Sequence, residues 1–328
     1  MKTFDYAKAE NLSGYDAAAK MGYAPKAGGV DLLDLLKLRI PGTPNKLVDV
    51  RALDGMKAIR REDDGALWIG AAATLKQIGD SALLKENLPA LAHAAGEAAT
   101  PQVRAAATAA GNVLQRPRDW YWRNPEFHDL PEGAQMPLGE LVAKGDDRYA
   151  AIFGNTSNRT VCGSNIAPVL AAARAKAIVH TPGADEPRAV PMSEFFALPE
   201  EHGAPITTLK PGELVLAFRI PKAPKASGFV EVRHKKSYDW ALAMAAAVQH
   251  ADGTWEVSLG AVAPVPWNAS GAAKVLSEAS TIDRTVAMEA AEASVAGANP
   301  SDKNRYRVHL TKVAVRDAIL TAAGLEIA

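Results

Sequence analysis

The sequence predicts a mixed α+β fold, and three observations lead there. The first 55 residues alternate strand-like and helix-like patterns around a glycine pair, a small βαβ-like unit. Around residue 230, Phe229, Glu231 and Arg233 alternate with Val230 and Val232, and later Trp255, Val257 and Leu259 alternate with polar neighbours, both at strand period. Two helical patterns, about 284–295 and 305–323, then follow. Strands succeeded by terminal helices are an α+β arrangement. The chain has 328 residues, room for about two domains at roughly 150 residues each. Breaks in pattern mark segments 1–55, 56–222 and 223–328.

The elements follow in order. Gly14 to Lys20 reads as a short helix, and Ala24 to Val30 as a turn. Asp31, a natural N-cap, precedes Leu32, Leu33, Leu35 and Leu36 in a helix that Pro41 and Gly42 end. Leu47 to Val50 and Leu67 to Gly70 read as strands. Thr74 caps a helix with Leu75, Ile78 and Ala82 on one face, and Pro89 to Glu97 is a further helix. Ala105 to Gln115 is alanine-rich around Gly111, expected to be buried. From Arg116 to Arg148 periodicity disappears, and a loop of that length is usually functional or interacting. Ile152-Phe153 is a short strand, Asn165 to Ala173 a helix and Ala177 to His180 a strand. In the last helix Leu310, Val313, Ala314 and Ala318 share a face.

Composition excludes several function classes. Apolar residues make up 48% and charged residues 23%, enough to fold around a core. Lys+Arg and Asp+Glu each number 37, so no bulk basic field awaits nucleic acid. One cysteine, Cys162, cannot close an internal disulfide or hold an iron–sulfur cluster or structural zinc alone. Met1 to Glu10 lacks an apolar signal core, and no window of about 18 residues is apolar enough to span a membrane. A cytoplasmic location is expected, or a periplasmic one by export with a signal-bearing partner. Dinucleotide, P-loop, zincin and nucleophile-elbow motifs are missing, and the seven histidines are scattered.

Four stretches could carry chemistry. In Lys26-Ala27-Gly28-Gly29-Val30-Asp31-Leu32-Leu33 two glycines precede a helix. Adjacent glycines can turn successive N–H groups into one anion-binding concavity, and a helix start adds its positive end. Alone, the pair is more commonly an ordinary tight turn. Thr108 to Gln115 offers close backbone approach at Gly111 and hydrogen-bonding groups at Thr108, Asn112 and Gln115. It reads equally as a helix packed through small residues. In Cys162-Gly163-Ser164-Asn165, Ser164 or Asn165 could simply cap a helix, and a lone cysteine is usually a buried small hydrophobe. Arg233 to Asp239 is a basic run: a solvated strand end, or a cation near developing negative charge.

Taken in order, these stretches resemble one family. Ala27 to Leu33 resembles the first flavin loop of the FAD subunits of molybdenum hydroxylases, the xanthine dehydrogenase and carbon monoxide dehydrogenase family. Gln102-Val103-Arg104 with Ala107 to Gln115 resembles its second loop. Ser164-Asn165-Ile166-Ala167-Pro168 is similar to its Pro-Ser-Asp-Leu-Ala-Pro helix start. Ser237-Tyr238, Ala241-Leu242 and Gly260 to Trp267 resemble its C-terminal domain, with the FAD subunit of bacterial aldehyde oxidoreductases the nearest likeness.

The resemblance implies a two-subdomain FAD-binding fold of the vanillyl-alcohol-oxidase/PCMH type, followed by a three-stranded sheet with helices. It implies FAD as cofactor, with Lys26, Ala27, Gly28, Gly29, Val30, Asp31, Leu32 and Leu33 around the pyrophosphate. Thr108, Ala110, Gly111, Asn112 and Gln115 would line the second side, with Ser164 and Asn165 facing the cofactor and Ile178 touching it through backbone. Lys235 would lie near the isoalloxazine, favouring its anionic reduced form, with Tyr238 close by. Implied partners are a molybdenum-cofactor large subunit and a small subunit with two [2Fe–2S] centres, and the implied role is electron transfer to an external acceptor. A stand-alone flavin oxidoreductase and a scaffold subunit without FAD are the alternatives.

Departures accompany the likeness. Val30 stands where the family often has Thr, and Cys162-Gly163-Ser164-Asn165 where it usually has His-Pro-Ser-Asp. Aldehyde oxidoreductase relatives carry a [4Fe–4S] cluster after the second loop, but this chain has no cysteine there. Trp120, Tyr121 and Trp122 are expected to pack that loop or a partner surface instead.

Overall fold

The computed structural model describes residues 3–128, 137–154, 159–200, 204–236 and 238–327. Three sheets organise them. The first is parallel, in order β1-β3-β2, from β1 (Asp5–Lys8), β2 (Ala24–Lys26) and β3 (Lys46–Asp49). Parallel neighbours need crossover connections, and α1 (Leu12–Lys20) and α2 (Val30–Leu38) supply them. α1 starts where the Asn11 side chain accepts from the Gly14 N–H at 2.8 Å. α2 starts otherwise than its sequence suggests. Its N-cap is Gly29 in the left-handed region, φ +74°, and Asp31 is the second helical residue. The Asp31 carboxylate accepts instead from the Arg116 N–H at 2.9 Å.

The second sheet is antiparallel, in order β4-β5-β8-β6-β7. It comprises β4 (Ile59–Arg61), β5 (Leu67–Gly70), β6 (Lys176–His180), β7 (Arg188–Pro191) and β8 (Leu214–Ile220). Between β5 and β6 run short helices: α3 (Leu75–Asp80), α4 (Ala82–Asn87), α5 (Pro89–Glu97), α6 (Pro101–Ala106), α7 (Ala109–Val113), α8 (Leu138–Lys144) and α9 (Ile166–Ala172). Thr74 caps α3 in a reciprocal capping box with Gln77, but α3 stops at Ser81, which caps α4, so Ala82 does not share the α3 face. The stretch Ala105 to Gln115 is two helices, broken at Ala107 and Thr108, and Gly111 is exposed rather than buried. Within 116–148 the described residues include a 3-10 turn, Pro125–Phe127, and α8. Ile152 and Phe153 form no strand; both N–H groups bond the Val262 carbonyl, at 2.9 and 3.2 Å.

After α10 (Met192–Phe195) comes the third sheet, in order β12-β11-β10-β9, from β9 (Ala226–Arg233), β10 (Ala241–Gln249), β11 (Trp255–Gly260) and β12 (Trp267–Asn268). The three expected strands thus gain a two-residue fourth. β10 is the strand composition hides, because its alanines favour helix in isolation. It is buried on both faces. Met244, Ala246 and Val248 join the core shared with α9, while Ala243, Ala245 and Ala247 join the core under α11 (Ser270–Glu278), α12 (Arg284–Ser294) and α13 (Tyr306–Ala322).

α13 lies so close to β9 that a Cβ on Gly228 would come within 2.1 Å of the Ala318 carbonyl oxygen. Its buried face runs through Arg307, Thr311, Ala314, Val315, Ala318 and Ile319, leaving Leu310 and Val313 half-buried. A buried arginine displaces the apolar stripe. The Arg307 guanidinium donates to the carbonyls of Tyr149 and Ala150, each at 2.6 Å, and to those of Leu242 (2.7 Å) and Ala261. Burial pulls its pKa down to about 10, which still leaves it cationic at neutral pH. These carbonyls satisfy it without a carboxylate and tie the start of β10 and the end of β11 to the 149–150 turn.

Candidate functional site

One cavity of about 390 Å³ is lined by residues from all three sheets: Pro25 and Lys26 from β2, Leu214 and Val215 from β8, and Glu231, Ala241 and Met244 from β9 and β10. Two glycine-bearing bends form its floor.

The first bend runs from Lys26 to Leu32, all lining the cavity. Gly29 takes its left-handed backbone as the N-cap of nine-residue α2, with no side-chain cap. Val30, Asp31 and Leu32, all in the cavity lining, are the first residues of α2, so their N–H groups have no intrahelical acceptor. Gly28 makes the bend possible by contact: a Cβ there would sit 2.0 Å from the Ala106 carbonyl oxygen at the end of α6. Lys26 packs its ammonium 5.9 Å from the Tyr6 ring centre, and burial lowers its pKa.

The second bend also lines the cavity, through Thr108, Ala110, Gly111, Asn112 and Gln115. Its donors are already engaged. The Ala109 and Ala110 N–H groups bond the Ala73 and Ala71 carbonyls at 2.8 and 3.0 Å, and the Gly111 N–H bonds Thr108 Oγ1 at 3.3 Å. Buried Asn112 accepts from Ser164 Oγ at 2.6 Å and from the Ile166 N–H at 3.4 Å, and its carbonyl accepts from Gln115 Nε2 at 2.9 Å. Ser164 Oγ in turn accepts the Ala167 N–H at 3.0 Å, so Ser164 supports the start of α9.

That frees Asn165 for the opposite wall. It makes no cap bond; its Nδ2 donates to Glu231 Oε2 at 2.9 Å. The Glu231 side chain is only 6% exposed. Arg233 Nη1 lies 3.0 Å from Oε1 but off the hydrogen-bonding direction, so Oε1 accepts no hydrogen bond among the described residues. Burial, opposed by Arg233 and reinforced by Glu97, pushes the Glu231 carboxyl up to about 7. Above it Tyr238, Asp239 and Trp240 form the rim. Tyr238 holds a left-handed backbone, φ +58°, which costs a non-glycine residue roughly 1–3 kcal/mol and fixes the rim's path. Arg118 stacks its guanidinium 5.0 Å from the Trp240 ring centre.

Arg118 also belongs to a clasp on α2. Arg118 Nη2 and Arg123 Nη2 meet Asp31 Oδ1 at 2.9 and 2.6 Å, and their Nη1 atoms meet Asp34 Oδ2 at 3.2 and 2.5 Å. Trp122 packs with Leu35 and Ile40, and the Tyr121 hydroxyl accepts the Asp146 N–H at 2.6 Å, so both rings pack the segment. Trp120 stays half-exposed, 5.4 Å from Tyr149.

The structure thus brings most of the expected site residues to one cavity. Leu33, Ser164, Ile178 and Lys235 are not in its lining. Leu33 covers Gly29, Ser164 is buried behind Asn112, Ile178 is buried in β6, and Lys235 is exposed. Ser237 lies outside the described residues. Sequence reasoning missed Glu97, Arg118, Glu231 and Trp240. The signal for Glu231 was present, a carboxylate at strand period beside Phe229, but nothing in the pattern says which face meets a cavity. Cys162 is buried, its thiol pushed up to about 11, as expected of a small hydrophobe. Among the described residues no group of His, Cys, Asp and Glu could hold a metal, and no helix is long and apolar enough to cross a membrane.

Comparison with known proteins shows the family. Residues 2–223 match the model of the FAD binding domain in molybdopterin dehydrogenase. The chain is 30% identical over 321 residues to the aldehyde oxidoreductase FAD-binding subunit PaoB of Escherichia coli K12, covering 95% of this chain and 96% of that protein. It is 28% identical over 333 residues to the carbon monoxide dehydrogenase medium chain of Afipia carboxidovorans, covering 97% and 96%. The crystal structure of the Cu,Mo-CO dehydrogenase superposes with TM-score 0.73 at 25% identity, over 98% of each chain. The chain belongs to the FAD-binding subunits of the molybdenum hydroxylase family, oxidoreductases whose domain here is built to hold FAD.

Proposed function

We propose that this chain is the electron-transfer subunit of a molybdenum-containing hydroxylase or dehydrogenase. In this reading it receives electrons from the [2Fe–2S] centres of a small partner subunit, works beside a molybdenum-cofactor large subunit, and delivers electrons to an external acceptor from the cytoplasm. The FAD-binding fold is taken to be of the vanillyl-alcohol-oxidase/PCMH type, with subdomains 1–55 and 56–222 and a C-terminal domain 223–328. The observation that carries the reading is the first bend: a left-handed glycine at the head of α2, whose first three residues line the cavity and carry N–H groups without intrahelical acceptors.

The residues present fit FAD. A twin phosphate needs convergent donors and a positive helix end, and the first bend offers both. A flat ring system needs an apolar slot, and Leu75, Val103, Val215 and Met244 are among the cavity's lining. When bound, FAD supplies the capacity to accept two electrons and release them to an acceptor.

The chain's own residues do the rest. Gly28 and Gly29 let the backbone reach the phosphates. The arginines of the clasp offset Asp31 and Asp34 near that anion. Asn112 and Ser164 fix the second bend against α9. Tyr238 and Trp240 form the cavity's rim. No general base or nucleophile for the organic substrate is assigned to this chain. The test is purification of the complex formed with the chain. Flavin absorbance, with molybdenum- and iron–sulfur-bearing chains copurifying, is expected. Flavin turnover by the isolated chain with an organic donor would overturn the partner assignment.

A further inference from the structure

Two stretches singled out in the sequence leave side chains that the cavity does not use: Trp120 from the irregular excursion, and His234, Lys235 and Lys236 from the basic run. All four are exposed. The fold brings them together beside the cavity rim. The Trp120 ring lies 5.4 Å from Tyr149, whose ring lies 5.9 Å from His234 with its hydroxyl 3.3 Å from Nε2. Tyr149 and His234 line a second, open depression together with Lys303 and Tyr306. Two positions before Trp120, Arg118 stacks on Trp240 at the rim. One kind of surface is thereby concentrated here. Six Tyr or Trp side chains are exposed among the described residues, and five of them lie on the rim, in the depression or against it: Trp120, Tyr149, Tyr238, Trp240 and Tyr306. No exposed Leu, Ile or Met lines either place. The rings are interleaved with cations. Lys235, Lys236 and Lys303 make no ion pair among the described residues, and Lys303 Nζ donates to the Gly145 carbonyl at 2.7 Å. Of the acids here, Asp146 is engaged by Arg148 at 2.7 Å, and Asp239 accepts the Trp240 N–H at 2.9 Å. In a chain with as many acidic as basic residues, this surplus is local.

We propose that this face docks the external acceptor, and that the acceptor is an acidic one-electron carrier protein. The inference rests on the electron-transfer reading of the chain and names the acceptor that reading leaves open. Lys235, Lys236 and Lys303 stand outside the cavity, so they do not serve a small molecule entering it. They are placed to hold a larger body against its rim, and their sign selects an acidic one. Exposed Tyr and Trp supply contact area at low conformational cost, and surrounding charge steers the encounter. A permanent subunit contact is more hydrophobic, and the exposed aliphatic side chains that would suit one lie elsewhere. Each docking event passes one electron. Two carriers are therefore reduced for every two-electron donor oxidised, and the protons go to solvent.

The experiment measures binding to the intact complex that purifies with this chain. The probes are the soluble domain of cytochrome b5, an acidic one-electron carrier, and cytochrome c, a basic one. Cytochrome b5 is expected to bind at about 20 mM salt and to lose most of its affinity at about 300 mM, and cytochrome c is expected not to bind. Reversing both charges, Lys235→Glu with Lys236→Glu, is expected to weaken cytochrome b5 binding about tenfold or more at the lower salt. Trp120→Ala is expected to weaken it about fivefold at both salts. Both variants keep their flavin absorbance, because none of the three residues lines the cavity. Should the double variant not assemble, Lys235→Ala is read instead, with a loss of about threefold expected. Salt-independent or absent cytochrome b5 binding, equal binding of cytochrome c, or unchanged affinity in the lysine variants overturns the inference. So does protection of Lys235 and Lys236 from acetylation in the complex, which would place a partner subunit on this face. A flavin-bearing complex that fails these tests leaves the electron-transfer reading standing. A chain that purifies with no molybdenum- or iron–sulfur-bearing partner overturns that reading and the acceptor with it.

Discussion

The two glycine-bearing bends line the same cavity, yet they are built on opposite principles. In the first, the backbone donors at the head of α2 have no intrahelical acceptor and no side-chain cap. In the second, the backbone donors are spent on neighbouring carbonyls and on Thr108, and a buried side chain, Asn112, ties the bend to α9. Both have a glycine, but for different reasons. Gly28 is required by contact and Gly29 by backbone conformation, whereas Gly111 is exposed, with Thr108 Oγ1 3.0 Å from where a Cβ would lie. A glycine in a flavin loop therefore does not by itself mark a phosphate contact.

That contrast can be broken at several points, from the largest effect down. Gly28→Val drives a side chain into the Ala106 carbonyl. It is expected to weaken FAD binding by about 100-fold or more, near 3 kcal/mol, read by flavin retention on dialysis. Next comes a pH effect on the cofactor-free chain. Glu231 has a folded value near 7 against an ordinary 4.5. A raised carboxyl binds its proton more tightly when folded, so the stability it contributes is complete below pH 4.5 and is lost as pH rises from about 4.5 to 7. Relative to Glu231→Gln, the native chain should lose about 3 kcal/mol over that window in urea unfolding; parallel curves would remove Glu231 from this role. Asn112→Ala leaves Ser164 Oγ and the Ile166 N–H without their acceptor. It is expected to cost about 1–2 kcal/mol of stability while FAD affinity, corrected for the folded fraction, changes little. Smallest of all are Gly111→Ala and Lys235→Ala. Each should stay within about 0.5 kcal/mol in stability and FAD affinity. A large affinity loss at Gly111 would show that the second bend binds phosphate after all.

The sequence made some of this visible and hid the rest for physical reasons. Gly28-Gly29 before a leucine-rich run marks a bend leading into a helix, because glycine chemistry and helical period are local. The helix start was legible, but its cap was not. Asp31 is a good N-cap in isolation, and only the tertiary contacts with Arg116, Arg118 and Arg123 make its carboxylate more useful elsewhere. β10 was invisible because alanine carries no strand signal, and its burial on two faces is a property of the assembled layers. The α13 stripe was shifted by Arg307, whose partners lie 46 to 158 positions away in the chain. The Glu231 wall was hidden for the same reason: alternation tells which residues share a face, never what that face meets.

The clasp between α2 and residues 116–123 has a consequence for anyone redesigning this surface. Asp31 and Asp34 project from the opening turns of the helix proposed to receive the phosphates, and two guanidiniums supplied from that excursion cancel them. Trimming the excursion as dispensable would leave a pair of bare carboxylates guarding the doorway against a dianion. The irregular stretch is thus a counter-ion that happens to be made of polypeptide.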